Sequence, residues 1–218
     1  MKKNLKDYIL HLDKWIPQNI LDKSLKELKK DKTWIQHKYH TADNPDKPYS
    51  KNGKKELDIS LAEHLTYLKE LHQLTWNALE KYIIIDKIGG KEFSSWSGFS
   101  QIRFNRYKKN QIMSKHNDHI HNLFTGEKRG IPILSIVGVL NDNYEGGEFI
   151  MFDNYEIKFK AGDLIVFPSV FLDKLLEPTD VLLLPLALSD RESVPTKVLP
   201  LAKESAPMWT PLTLMFPV

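Results

Sequence analysis

The chain has no cysteine among its 218 residues. That excludes a disulfide scaffold, a cysteine zinc cage, an iron–sulfur cluster and a thiol nucleophile, so any metal site must use His, Asp and Glu. Histidine is absent after His121, and glycine after Gly162. Long apolar runs are also missing. The longest, near Val181 to Leu188, is short and holds Pro185, so no membrane-spanning helix is expected. Strong charge of either sign is lacking. The 31 Lys+Arg face 28 Asp+Glu, and a formal net charge of +3 is too small to imply a nucleic-acid or membrane partner. Met1 to Lys14 has no continuous apolar core of the secretory kind. Together with the missing cysteine, this makes the cytoplasm the expected compartment. What remains is an ordinary globular composition, 41% hydrophobic and 27% charged. The length suits one domain, or one domain with a small appendage.

Residues 1–95 read as a helical support region. Leu5, Tyr8, Ile9, Leu12 and Trp15 recur at spacings of three and four, which predicts an amphipathic helix over Asn4 to Trp15, continued in Ile20 to Leu28. Thr41 to Lys55, with Pro45, Pro48 and Gly53, reads as a loop. Ile59 to Ile85 reads as a second helix carrying Leu61, Leu65, Leu68, Leu71 and Leu74. Residues 96–172 read as a strand-rich core. Its strands are expected near Ile102 to Tyr107, Ile133 to Leu140, Glu148 to Phe152, Tyr155 to Phe159 and Leu164 to Phe167. Residues 173–218 read as an irregular tail, since eight of the 12 prolines lie between Pro168 and Pro217. No alternating strand is expected beyond Leu172, which would leave Leu164 to Phe167 as an open sheet edge.

Three of the eight histidines fall in the segment Ser114 to His121, Ser-Lys-His-Asn-Asp-His-Ile-His. In extended chain, residues two apart point the same way. His116 and Asp118 can therefore aim a nitrogen and a carboxylate oxygen at one point, two-thirds of a 2-His-1-carboxylate facial triad. A polar surface loop is the competing reading. A zinc site on His116, His119 and His121 is a lesser alternative, because that spacing lacks the i, i+4 helical repeat of common zinc enzymes. Arg103, Arg106, Lys108, Lys109 and Lys115 form a basic cluster near this segment. A solvated strand face explains it better than a nucleic-acid groove does.

Tyr107, His116-x-Asp118, the strand into Leu140-Asn141, the turn Glu145-Gly146-Gly147-Glu148, Lys160 to Asp163 and the run Leu164 to Ser169 follow one another in order. From about Phe104 to Leu172 the chain resembles the prolyl-4-hydroxylase-like Fe(II)/2-oxoglutarate-dependent dioxygenases, especially the short versions carried by bacteriophages. Trp34 and His37 in the helical front are compatible with that resemblance. It implies an α+β, mainly β fold: a double-stranded β-helix, or jelly roll, with flanking N-terminal helices. It implies Fe(II) held by His116 and Asp118, with 2-oxoglutarate as co-substrate, Tyr107 lending its hydroxyl to that co-substrate, and ascorbate as a further cofactor. The reaction it implies is C–H hydroxylation of a peptidyl or small-molecule substrate by O₂, with 2-oxoglutarate decarboxylated to succinate. For a phage-type member the setting would be the cytoplasm of an infected bacterium.

The resemblance stops at Leu172. The family continues into a distal His and then a segment bearing a carboxylate-binding Arg. Here the next residue is Asp173, no His follows, and Arg191 lies too far along. Asp173 can offer an oxygen from the place of the missing His, and Glu177 is a poorer candidate. A divergent or frame-shifted tail accounts for the change in composition. The alternative to an active oxygenase is therefore a catalytically impaired family member that binds or scaffolds.

Overall fold

The computed structural model describes residues 4–41, 44–51, 53–88, 100–118, 133–152, 154–171, 173–175 and 181–186. In chain order the strands and helices are β1 (Leu10–Leu12), α1 (Gln18–Leu28), β2 (Ile35–Gln36), β3 (Tyr39–Thr41), β4 (Asn44–Tyr49), β5 (Asp58–Ser60), α2 (Leu68–Glu80), β6 (Phe104–Tyr107), β7 (Met113–His116), β8 (Leu134–Val139), β9 (Phe149–Met151), β10 (Tyr155–Ile157), β11 (Leu164–Pro168), β12 (Asp173–Leu175) and β13 (Val181–Leu186). They form a mixed α+β fold. Seven strands make one antiparallel sheet in the order β1–β11–β8–β13–β6–β5–β2. Four make a second, β10–β9–β12–β7, and β3 pairs with β4.

The jelly-roll expectation is not met. No sheet closes into a barrel: β1 and β2 are the two ends of the large sheet, and β10 and β7 those of the small one. Closure needs an unbroken ladder that tilts around the axis. Here the chain leaves β8 for the other sheet through a turn instead, with Gly146 and Gly147 at φ 71° and 74°. The strands it then enters, β9 and β10, are only three residues long.

The expectation of missing C-terminal strands is also overturned. β12 pairs with both β7 and β9, and β13 lies between β8 and β6 in the middle of the large sheet. β11 is not an edge either, because β1 covers it with Leu10 opposite Val166 and Leu12 opposite Leu164. That pairing replaces most of the expected first helix. Leu5–Tyr8 is a single 3-10 turn capped by Asn4, and the extended segment after it joins the sheet. The second expected helix starts late for a similar reason: Asp58–Ser60 pairs with β6 before α2 begins at Leu68. The expected loop over Thr41 to Lys55 contains β4, which pairs with β3, and the short 3-10 turn Gly53–Lys55.

Strand alternation divides the apolar residues into two clusters. Ile102, Phe104, Leu134, Ile136, Leu164 and Val166 pack against Ile20, Leu21 and Leu28 of α1 and Leu68, Leu71, Ala78 and Leu79 of α2. The intervening residues Tyr107, Val137, Val139, Ile165 and Phe167 pack against Met113, Phe149, Met151 and Ile157 of the small sheet. Burying a residue of this size contributes roughly 1.5–3 kcal/mol, so both faces of the large sheet hold the fold together. Gly162 sets the distance between β11 and the start of α1. At φ +94°, a Cβ there would lie 3.0 Å from the Ile16 carbonyl oxygen, and the Gly162 carbonyl accepts from the Ile16 N–H at 2.9 Å.

Candidate functional site

The second cluster, between the sheets, carries the polar groups of interest. β7 contains a bulge: Leu175 stands opposite Met113, and Asp173 opposite His116, so three steps on β7 match two on β12. A bulge re-aims side chains. Met113, three residues before His116, is accordingly buried in the inter-sheet cluster. The chain then leaves the strand, and the Asp118 N–H donates to the Ser169 carbonyl at 3.0 Å. That contact ties the motif to the residue following β11.

His116 and Asp118 lie side by side. His116 Nε2 lies 3.4 Å from Asp118 Oδ1. The other carboxylate oxygen, Oδ2, accepts from Ser135 Oγ at 2.7 Å, and Ser135 Oγ also bonds Ser169 Oγ at 3.1 Å. Asp118, Ser135 and Ser169 are all buried. Burial alone would push the Asp118 carboxyl up. Hydrogen bonds from His116 and Ser135, and the charges of His116 and Arg103, more than offset this and hold it below the usual carboxylate range. Asp118 is thus an anion in a partly desolvated place, with one oxygen fixed from behind by a hydroxyl.

Tyr107 is buried on the inter-sheet face of β6, and its hydroxyl donates to Met113 Sδ at 3.3 Å. The basic cluster of the sequence separates in space. Arg106 Nη2 and Lys108 Nζ pair with Asp58 Oδ2 at 2.9 and 2.8 Å, and the Arg106 guanidinium lies 4.2 Å over the Trp34 ring. Arg103, just before β6, is close enough for its charge to act on Asp118. His37 is buried against Glu56, Nδ1 to Oε2 3.4 Å. His119, His121, Glu177 and Arg191 lie outside the described residues. Sequence reasoning missed Ser135. Its signal was one hydroxyl inside an otherwise apolar strand, Leu-Ser-Ile-Val-Gly-Val.

The donor atoms of His116 and Asp118 fit one divalent ion, since a 3.4 Å separation can be bridged at about 2.0–2.2 Å per ligand. A third His, Asp or Glu does not join them among the described side chains. The described cluster that does gather three such residues is His11, Asp13 and Asp163, at the far end of β11. There, both Asp163 oxygens already accept backbone N–H groups, from Lys14 at 2.9 Å and Lys160 at 2.8 Å.

Residues 102–178 match the family model of the 2OG-Fe(II) oxygenase superfamily. A PKHD-type hydroxylase of Xylella fastidiosa (strain M12) is 36% identical over 94 residues, covering 35% of this chain and 38% of its own length. A PKHD-type hydroxylase of Stenotrophomonas maltophilia (strain R551-3) is 41% identical over 78 residues, covering 34% and 35%. The chain thus spans well under half the length of these curated relatives. Among solved structures, a prolyl hydroxylase from Trichoplax adhaerens in complex with a hypoxia inducible factor oxygen degradation domain peptide superposes with TM-score 0.57 at 13% identity, covering 83% of this chain and 84% of that one. A viral collagen prolyl hydroxylase from Paramecium Bursaria Chlorella virus-1, in its 2OG complex, gives 0.51 at 14%, covering 84% and 97%. These two likenesses concern the fold alone. No helix among the described residues is long and apolar enough to cross a membrane. Residues 102–178 thus resemble the 2OG-Fe(II) oxygenase superfamily, and among the described residues only His116 and Asp118 converge in that stretch.

Proposed function

We propose that this chain is a binding-competent but catalytically impaired member of the superfamily. Its inter-sheet site takes a divalent metal on His116 and Asp118 and 2-oxoglutarate beside Tyr107, with little or no turnover. The observation that carries this reading is the ligand set. His116 Nε2 and Asp118 Oδ1 converge to 3.4 Å, while the sequence supplies no histidine after His121 to complete them. Fe(II), when bound, supplies the redox chemistry. The protein's part is to hold and orient. Ser135 fixes the Asp118 carboxylate, the Ser169 carbonyl fixes its backbone, and the apolar wall of Phe149, Met151, Ile165 and Phe167 limits water. Two protein ligands hold an ion more weakly than three and leave its geometry less defined.

The test is to prepare the full chain without oxygen, titrate it with Fe(II) or Mn(II), then add 2-oxoglutarate and O₂ and measure succinate. Metal binding that disappears in Asp118→Asn, with succinate release far below that of a three-ligand relative, is the expected result. A wild-type chain that binds no metal sinks the proposal.

One observation favours a second reading, a competent oxygenase hydroxylating a C–H bond of a peptidyl or small-molecule substrate. Asp173 stands directly across from His116 in the β7–β12 ladder, where a third ligand would be useful. Ready succinate release by the wild type, abolished in Asp173→Asn, would decide for it. The nucleotide sequence encoding Leu172 to Asp190 tests separately whether a frame shift produced this tail.

A further inference from the structure

Away from the metal pair, the β2 end of the large sheet holds a concavity of about 430 Å³. Thr33 and Ile35, the run Ile59 to His64, and Arg103 form its wall, and His116, Asp118 and Tyr107 take no part in it. The wall is largely apolar. Ile35 and its cross-strand partner Ile59 are joined by Leu61 and Ala62, and Ile35 and Leu61 stand 64% and 38% exposed. Removing such surface from water favours a ligand with an apolar body.

The polar groups of the wall divide into those already engaged and one that is not. Ser60 Oγ donates to Asp31 Oδ2 at 2.6 Å and accepts the Ala62 N–H at 3.0 Å. Thr33 Oγ1 donates to Asp31 Oδ1 at 2.8 Å and lies 2.7 Å from Ser60 Oγ. Glu63 accepts from Gln101 Nε2, and the His64 charge acts on Asp31. Glu63 and His64 are both exposed, so water screens them. Arg103 differs. Its Nε is buried without a hydrogen-bond partner, and no ion pair holds the guanidinium among the described residues. Burial lowers its pKa, and Asp118, Tyr107 and Tyr39, which oppose this, do not cancel it. A carboxylate that reaches the guanidinium therefore gains a charge-assisted pair without displacing an existing partner.

We propose that this concavity is a second ligand site, separate from the metal pair, that takes a small carboxylic acid with an apolar body: the carboxylate pairs with the Arg103 guanidinium, and the body lies against Ile35, Ile59 and Leu61. The volume falls in the range of small-molecule sites, roughly 300–1,000 Å³, which favours a free acid over a segment of another protein. The assignment does not depend on a metal at His116 and Asp118.

The full chain is titrated calorimetrically with three probes: 4-phenylbutyrate, its amide, which keeps the body but lacks the charge, and acetate, which keeps the charge but lacks the body. Wild type should bind 4-phenylbutyrate about tenfold or more tightly than either. Arg103→Gln should weaken 4-phenylbutyrate by about tenfold, leave the amide within about twofold, and so erase the difference. Leu61→Asp, at an exposed position, keeps the test open if Arg103→Gln does not fold. It should weaken 4-phenylbutyrate about tenfold or more while the melting temperature stays within a few degrees of wild type. Equal affinity for acid and amide in wild type overturns the proposal, and so does a folded Arg103→Gln or Leu61→Asp that binds the acid as before. Acetate bound as tightly as 4-phenylbutyrate reduces the site to a bare anion contact and also overturns it. So does acetyl-Leu-Glu-Leu amide bound more tightly than the acid and lost in Arg103→Gln, which would make the wall a peptide groove. Displacement of 4-phenylbutyrate by one equivalent of 2-oxoglutarate in the presence of Mn(II) would assign the guanidinium to the metal site and overturn the separation of the two.

Discussion

Two histidine–aspartate pairs lie at different places along β11 and β8, and their surroundings differ in kind. In the first, Asp163 Oδ1 accepts the Lys14 N–H, and Oδ2 accepts the Lys160 N–H and faces His11 Nε2 at 3.2 Å. Every contact there joins chain segments: the turn after β1, the turn before β11, and β1 itself. In the second, Asp118 has one oxygen backed by the Ser135 hydroxyl and the other turned to His116 Nε2, with no backbone donor on either among the described residues. A carboxylate that caps backbone N–H groups is a clamp. One that is oriented by a hydroxyl and left facing an imidazole is available to a ligand. Residue type and proximity alone would rank His11, Asp13 and Asp163 as the better metal cluster, and the hydrogen-bond accounting reverses that order.

Asp163→Ala offers the hardest test of this contrast. The carboxylate is 3% exposed, and its loss would leave the Lys14 and Lys160 N–H groups without their acceptor. Destabilisation of about 3 kcal/mol is expected, lowering the melting temperature by roughly 6–12 °C for a domain of this size. Mn(II) affinity of the folded fraction should be unchanged. A variant that melts like wild type would break the comparison at its structural end. Asp118→Asn should do the reverse. Mn(II) affinity is expected to fall by at least 100-fold, about 2.7 kcal/mol, while the melting temperature stays within a few degrees because no backbone donor is orphaned. Large unfolding without loss of metal binding would make Asp118 a second clamp.

Legibility in the sequence followed how many neighbours each segment has. Ile133 to Leu140 and Leu164 to Phe167 could be read because they are continuous apolar runs bounded by turn residues, and both became interior strands. Val181 to Leu186 is an equally apolar run, yet Pro185 argued against it. The structure places that proline opposite Val137 inside the sheet, where it removes one donor from the ladder. Leu10 and Leu12 were claimed for a helix because spacings of two, three and four all fit a handful of apolar residues, and only the pairing with β11 decides among them. At the site, the approach of His116 to Asp118 was legible because both sit in one short segment. Ser135 was not, since its importance depends on strands that meet only in the folded chain. The bulge that turns both Met113 and His116 inward leaves no mark in the sequence.

Ser135→Ala sharpens the contrast from the side of the proposed metal site. Without the hydroxyl, Asp118 Oδ2 loses its 2.7 Å donor while remaining buried. A partner behind a metal ligand is commonly worth 10–100-fold in affinity. About tenfold weaker Mn(II) binding is expected, with about 1 kcal/mol of stability lost. Rescue in Ser135→Thr, which restores a hydroxyl, would separate orientation of the carboxylate from simple packing. Equal Mn(II) affinity in wild type and Ser135→Ala would show that the hydroxyl does not position the ligand oxygen.

The smallest expected effect belongs to His11→Gln. His11 Nε2 lies 3.2 Å from Asp163 Oδ2 and 3.6 Å from Asp13 Oδ1, and the ring meets Phe159 edge-on with centroids 5.9 Å apart. Its side chain is one-third exposed, so solvent screens the contact. Gln keeps a donor near Asp163 but gives up the ring contact, and the two backbone bonds to the carboxylate remain. A loss of about 0.5–1 kcal/mol follows, near the limit of a careful denaturant titration. The informative readout is the metal. If this cluster is a clamp, adding Zn(II) or Mn(II) should raise the melting temperature of wild type and His11→Gln equally, because the ion binds elsewhere. A metal-induced shift that vanishes in His11→Gln but survives in Asp118→Asn would exchange the two roles.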